Sequence, residues 1–298
     1  MIGALWFRRP VAIASRVWSM ARLIPSPSER DALIIPASSA DIPKTYFRLA
    51  QLGPGETLAA AQPDFELLVV VLSGRARIQV NETVFDEVGH RDSIWRGNAD
   101  SVYAGTQAQI VIQGIAEHTE IAIAGGHCEE KFAPFRILPD EVESVEVGSE
   151  DTHTKRTIHH ILGQNGNGRA GNLLVSELYA APGCWSGYPS HKHDEDNMPH
   201  ESAFEEVYHY RFDPETGFGG QYHYRPGEKP TVAMTTHRST FVVDNGYHPT
   251  STSPGHRGYI FTILVGKTQR SLVQWFEEKH HHLFDVIPGL QAMRDKFK

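Results

Sequence analysis

From about Pro43 onward the apolar residues fall in short β-branched runs. YFRLAQL, ELLVVVLSGRARIQV, QIVIQGI and TEIAIAG are each bounded by Gly, Pro, Asn or Asp, which is how strands are punctuated. The second half repeats the style in NLLVSELYA, FEEVYHYRF, GGQYHYRP, STFVVDNGY and GYIFTILVG. Strands at roughly 8–12-residue intervals with turn signals between them predict an all-β sandwich or barrel. Helical patterns are few: PDEVESV, and near the end WFEEKHHHLF and LQAMRDKF.

The halves also resemble one another. GPGETLAAAQPDFELLVVVLSGRARI parallels APGCWSGYPSHKHD…FEEVYHYRF, and GHRDSIWRGNADSVYAG parallels THRSTFVVDNGYHPTST. Such self-similarity predicts two β modules, with a boundary near Val145–His153. The first copy has no His-x-His, and Ser101 is aligned with His248. Metal chemistry is therefore expected in the second half alone.

Composition narrows the class. A chain of 298 residues, 40% hydrophobic and 21% charged, has an ordinary globular balance. A net charge of −8 disfavours nucleic acid as a partner. No apolar run is long enough for a membrane helix. Cys128 and Cys184 cannot form a disulfide framework and neither lies in a CxxC, so a reducing, cytoplasmic setting is expected. The 17 histidines are the anomaly, and their clustering directs attention to metal or acid–base chemistry.

The first residues stand apart. Arg8, Arg9, Arg16 and Arg22 occur with no acid before Glu29, as in an amphipathic targeting segment. An over-long start, with Met20 as the true first residue, is the favoured reading because no secretory apolar core or cleavage site is evident. Residues before about 30 are left out of the fold expectation.

The densest chemistry lies in SGYPSHKHDEDNMPHESAFEEVYHY, from Ser186 to Tyr210. On a strand, residues i and i+2 share a face, so His191 and His193 can meet one ion while Lys192 points away, toward the surface or another subunit. Periodicity chooses between Glu205 and Glu206. Glu206, Tyr208, Tyr210 and Phe212 form an aromatic face, whereas Glu205, Val207, His209 and Arg211 form a mostly polar one. A small barrel fills its interior with large side chains, so Glu206 is expected inside and Glu205 toward water. His248, in the turn NGYHPTS, completes the set. Three imidazoles and a carboxylate suit zinc, iron, nickel or manganese.

Blander readings hold elsewhere. A lone surface His-x-His usually means nothing; here the inward Glu and the Gly-Tyr-His-Pro turn add specificity. His280, His281 and His282 read as an exposed helix face or terminus. His159 and His160 alternate on a strand, so at most one can face a site. His200, His209 and His223 read as surface or structural. The aromatic set Trp185, Tyr188, Tyr208, Tyr210, Tyr222 and Tyr224 reads as core packing, with one or two at a pocket mouth.

The string WSGYPSHKHDED…ESAFEEVYHYRFDPETGFGGQYHY…VVDNGYHP resembles the bacterial 5-deoxy-glucuronate isomerases of myo-inositol catabolism, within the cupins. THTKRTIHHIL and LGPGETL…VVVLSGRARI are similar to the same family, over about residues 40–280. Glu206 follows His193 after a longer segment than in most cupins; that spacing itself resembles the isomerases and leaves Glu201 and Glu205 as rival ligands. A more distant likeness is to the 5-keto-4-deoxyuronate isomerases of pectin breakdown.

The resemblance implies a bicupin with few short helices: an extension over 1–30, a cupin-like domain without metal ligands over 31–147, and a metal-binding cupin domain over 148–298. It implies an aldose–ketose isomerase that converts 5-deoxy-glucuronate to 5-dehydro-2-deoxy-gluconate. The expected partners are a small sugar acid and further copies of the chain in a homo-oligomer, with neither nucleic acid nor membrane. The expected cofactor is a divalent metal, zinc first because no redox step is needed, with manganese or iron as alternatives. His191, His193, Glu206 and His248 are its expected ligands. Glu206 and Tyr208 are the candidate proton carriers; Arg156 and Tyr222 are the candidate substrate contacts. An iron cupin dioxygenase and a non-enzymatic sugar-acid binder are the rival functions.

Overall fold

The computed structural model describes residues 22–296. Phe65–Ser73 shows how the sheets are built: its run FELLVVVLS is buried almost throughout, without the usual alternation. Leu67, Val69 and Val71 face one apolar core, with Ile78, Val80 and Ile112 from a second sheet. Leu68, Val70 and Leu72 face another, shared with Val175, Val207 and Phe261 of the second half. A strand buried on both faces reads as a continuous apolar run. The first core fills a sandwich; the second joins the two halves back to back.

The repeat in the sequence is a repeat in topology. The first large sheet runs Phe135–Ile137, Asp100–Ala104, Phe65–Ser73, Thr119–His127, Thr45–Leu52, Asp31–Ile35. The second runs Leu23–Ile24, Thr240–Val243, Phe204–Asp213, Arg257–Gly266, Leu173–Ala180, Arg156–Leu162, Glu143–Val147. Each is accompanied by a four-stranded sheet: Thr57–Ala60, Ile110–Gly114, Ala76–Val80, Thr83–Val88 in one half, and Trp185–Ser186, Thr250–Thr252, Phe218–His223, Thr231–Thr236 in the other. Apart from Glu143–Val147, a seventh strand at the edge of the second large sheet, the orders correspond strand for strand, giving the all-β, two-barrel bicupin architecture. Among the described residues no helix is long and apolar enough to cross a membrane.

Several expectations need correction. Leu23 and Ile24, set aside with the N-terminal extension, pair with Phe241 and Thr240; residues 1–21 lie outside the described residues. Glu143–Val147 joins the second large sheet through Arg156–Leu162. PDEVESV is not a helix but one 3-10 turn, Pro139–Glu141, followed by that strand, because Val145 and Val147 alternate inward. In WFEEKHHHLF, Trp275–Phe276 pairs with His191–Lys192, and a 3-10 helix follows over Glu278–Asp285. Leu290–Lys296 is helical as expected. Ser101 lies in Asp100–Ala104, the counterpart of Thr240–Val243, so it does not stand at the place of His248.

The interface between the halves explains the polar face of Phe204–Asp213. Glu205, His209 and Arg211 are buried, not water-facing, because the back of one large sheet packs on the back of the other. Arg211 pairs with Glu120 of the first half at 2.8 Å, and donates from Nε to His209. Glu205 accepts from the Lys44 amide and the Thr45 hydroxyl at 3.0 and 2.8 Å. Glu66 does the same in mirror fashion, accepting from the Gly171 and Leu173 amides. Arg91 and Glu177 complete the seam as a buried two-pronged pair at 2.5 and 3.0 Å, with Tyr259 donating to the same carboxylate. Removing one member of a buried pair strands the other charge. Glu177→Ala is thus expected to cost about 3–5 kcal/mol, read from urea unfolding; a loss under about 1 kcal/mol would show that the seam tolerates a lone Arg91.

Candidate metal centre

Inside the second sandwich the aromatic face of Phe204–Asp213 packs Tyr208, Tyr210 and Phe212 against Phe241, Val243 and Ile260. At its N-terminal end that face carries Glu206, buried. His191 reaches the same place from the short strand His191–Lys192. His193 follows it and is tied to the large sheet, since its carbonyl accepts the Phe204 amide at 2.8 Å. His248 comes from the turn after Thr240–Val243. Gly246 makes that turn possible: its φ is +75°, and an added Cβ would lie 2.9 Å from the Tyr224 carbonyl, so only glycine fits. Asp194 joins the two ligand loops, accepting the Gly246 amide at 3.0 Å and pairing with Lys192 at 2.9 Å.

The three imidazoles are buried and each offers a nitrogen within 4.8 Å of the others. Glu206 Oε2 lies 3.0 Å from His193 Nε2 and 3.2 Å from His248 Nε2. His248 Nδ1 donates to the Gly246 carbonyl at 2.7 Å, and His191 Nδ1 to the Pro189 carbonyl at 3.2 Å. A carbonyl only accepts, so both rings carry their proton on Nδ1 and present the Nε2 lone pair inward, the arrangement that orients metal-ligating histidines. His248 Nε2 is buried without a properly aligned hydrogen bond, despite its closeness to Glu206. A buried polar atom of this kind calls for a partner, and an ion would supply one. The donor set fits a divalent metal.

At His191 and Glu206 the electrostatics favour the same reading. Burial pushes His191 well below the usual imidazole range, and His248 and His193 push the same way, so it is neutral and able to ligate. Burial would raise the Glu206 carboxyl, but His193 overcomes this and holds it well below the usual carboxylate range. Glu206 is therefore ionised at neutral pH. His193 is raised by Glu206 against its own burial.

The KduI/IolB family profile matches residues 25–283. The chain belongs to the KduI/IolB family. It is 32% identical to the 5-deoxy-glucuronate isomerase of Bacillus licheniformis, over 78% of this chain and 85% of that protein. It superimposes on the crystal structure of an IolB-like protein from Salmonella typhimurium with a TM-score of 0.82 and 27% identity, covering 88% of this chain and 98% of that one. A mutant of the Bacillus subtilis oxalate decarboxylase shares the fold at 11% identity, with a TM-score of 0.53 over 78% of this chain and 71% of that one.

Within this member of the KduI/IolB family the remaining candidates separate. Glu201 is engaged away from the cluster: its carboxylate holds Lys192 at 2.7 Å and accepts the Asp194 and Glu195 amides. Lys192 points away from the cluster into this acidic group. Glu205 faces the other half. Glu205→Ala is expected to keep the metal and lose about 1–3 kcal/mol of stability, measured by unfolding alongside metal content; metal loss in that variant would mean the strand register is off by one residue. Tyr208 and Arg156 line one cavity with His191 and Glu206. Tyr222 is not among its lining residues and stacks on Trp185 at 4.8 Å. Sequence reasoning missed Ser186, Gln274 and Met293, which also line the cavity. Gln274 and Met293 arrive from the C-terminal segment, whose sequence carries no motif pointing back to the barrel.

Proposed function

We propose that this protein isomerises 5-deoxy-glucuronate to 5-dehydro-2-deoxy-gluconate. The observation that carries the reading is one cavity joining His191 and Glu206 of the histidine cluster to a buried arginine with no acidic partner among the described residues. His191, His193, Glu206 and His248 would hold a divalent ion, zinc being sufficient, and that ion would supply Lewis acidity at the reacting end of an open-chain aldose.

The chain's own groups do the rest. Among the described residues no carboxylate lies within ion-pair distance of Arg156. Its guanidinium is buried, donates to the Thr154 and Tyr188 carbonyls at 2.9 and 3.0 Å, and leaves Nε without a partner. Burial pushes it down to about 10, with Tyr208 and Cys184 opposing, so it is still a cation at neutral pH. A buried cation without a counter-charge is costly, and a sugar-acid carboxylate would provide that charge. Ser186 Oγ, buried and unpartnered in the same cavity, can donate to it as well.

Among the described residues Glu206 is the one carboxylate lining the cavity and, being ionised, can take a proton from the substrate's C2 and return it to C1. Tyr208, two residues along the same face, keeps its proton: burial raises the phenol well above its ordinary range and Glu206 adds to the effect. It therefore serves as an O–H donor to a substrate oxygen. The specificity test compares kcat/KM for 5-deoxy-glucuronate and 5-keto-4-deoxyuronate in the zinc-loaded protein. At least about a hundredfold preference for the first, the worth of one or two well-made polar contacts, supports the proposal; preference for the second would move the assignment to the related uronate isomerases.

A further inference from the structure

Gln274 sits between two anchored residues, Leu272 and Phe276, both buried. Trp275–Phe276 is hydrogen-bonded to His191–Lys192 as a strand pair, so the backbone carrying Gln274 is fixed beside the metal centre. Its side-chain Nε2 lies 3.0 Å from His191 Nε2. Because His191 Nδ1 donates to Pro189, His191 Nε2 has only a lone pair, and the Gln274 amide must be the donor. That lone pair is also the one His191 has to offer an ion. One lone pair cannot serve both. Loading the cluster therefore requires the Gln274 amide to leave, and with the backbone held, only its side chain can turn. Gln274 is the only carboxamide lining the cavity among the described residues. Released, it has two N–H donors and one acceptor in a pocket that also holds Arg156, Ser186 and Tyr208.

We propose that Gln274 competes with the metal for His191 and, once displaced, binds a hydroxyl or carbonyl oxygen of the sugar acid. Metal loading thereby prepares a substrate contact. The competition stands on the geometry alone; the substrate contact rests on the functional reading above.

Gln274→Met, which keeps the volume and removes the amide, tests both parts. Zinc affinity, measured against a chromophoric chelator, is expected to rise about 3- to 10-fold, the ordinary worth of one hydrogen bond. KM for 5-deoxy-glucuronate is expected to rise about tenfold or more, with a smaller change in kcat. A merely structural role would instead lower the melting temperature and the zinc affinity together. Unchanged or weaker zinc binding overturns the competition, and an unchanged KM overturns the substrate contact. A wild-type protein that does not turn over this sugar acid sinks the functional reading and the contact with it, while the zinc titration still decides the competition.

Discussion

Replacing His193 with alanine is expected to remove metal and turnover together. His193 contributes one of three clustered imidazoles and is the nearer of the two beside Glu206, at 3.0 Å against 3.2 Å for His248. Without it, the cluster is left with His191, His248 and a carboxylate that has lost one of its two imidazole neighbours. Turnover should fall at least about 1000-fold, the scale of losing a metal that polarises the reacting oxygens. The fold should survive, because the apolar core of the first sandwich and the seam between the halves lie elsewhere. Elemental analysis beside circular dichroism checks this. A folded variant with full metal content would show that the ion sits elsewhere.

Arg156→Met is expected to leave metal content intact and raise KM about a hundredfold, the loss of a charge-assisted contact worth about 1.5–3 kcal/mol. Stability should change little: the carbonyls of Thr154 and Tyr188 lose their donor, while an unpaired buried charge is removed. Steady-state kinetics with metal analysis and urea unfolding separate these effects. Should the variant unfold or lose its metal, Arg156 is a structural residue and the carboxylate lies elsewhere. Arg156→Lys should recover only part of the binding, since an ammonium cannot reproduce the fork.

Much of this is legible in the chain itself. His-x-His spacing and the aromatic alternation of Glu206, Tyr208, Tyr210 and Phe212 follow from strand periodicity, and the structure sets these side chains on one inner face. The opposite face shows where periodicity stops. Glu205, His209 and Arg211 look like a solvated edge, because alternation reports that two faces differ and not what lies against either. Here a second sheet lies there, and the polar side chains are satisfied by Lys44, Thr45, Thr240 and Glu120. Contacts of high sequence separation leave no local trace for the same reason. Gln274 reaches His191 across 83 positions, and Leu23 reaches Phe241, with nothing in either segment to announce the partner. The internal repeat is visible in the residues, but its alignment near Ser101 is displaced by a strand, since low similarity fixes an order of elements better than a register.

The most direct measurement is proton NMR of 5-deoxy-glucuronate in D₂O, with the protein stripped by chelator and then reloaded with zinc. The expected result is no change with stripped protein and, with the reloaded one, replacement of the aldehyde signal by the 2-deoxy-5-keto acid. Deuterium at the new hydroxymethyl carbon would mark proton transfer through a group such as Glu206; its absence would mark a hydride shift or a proton shielded from solvent. An aldehyde signal that persists with the zinc-loaded protein would contradict the isomerase assignment.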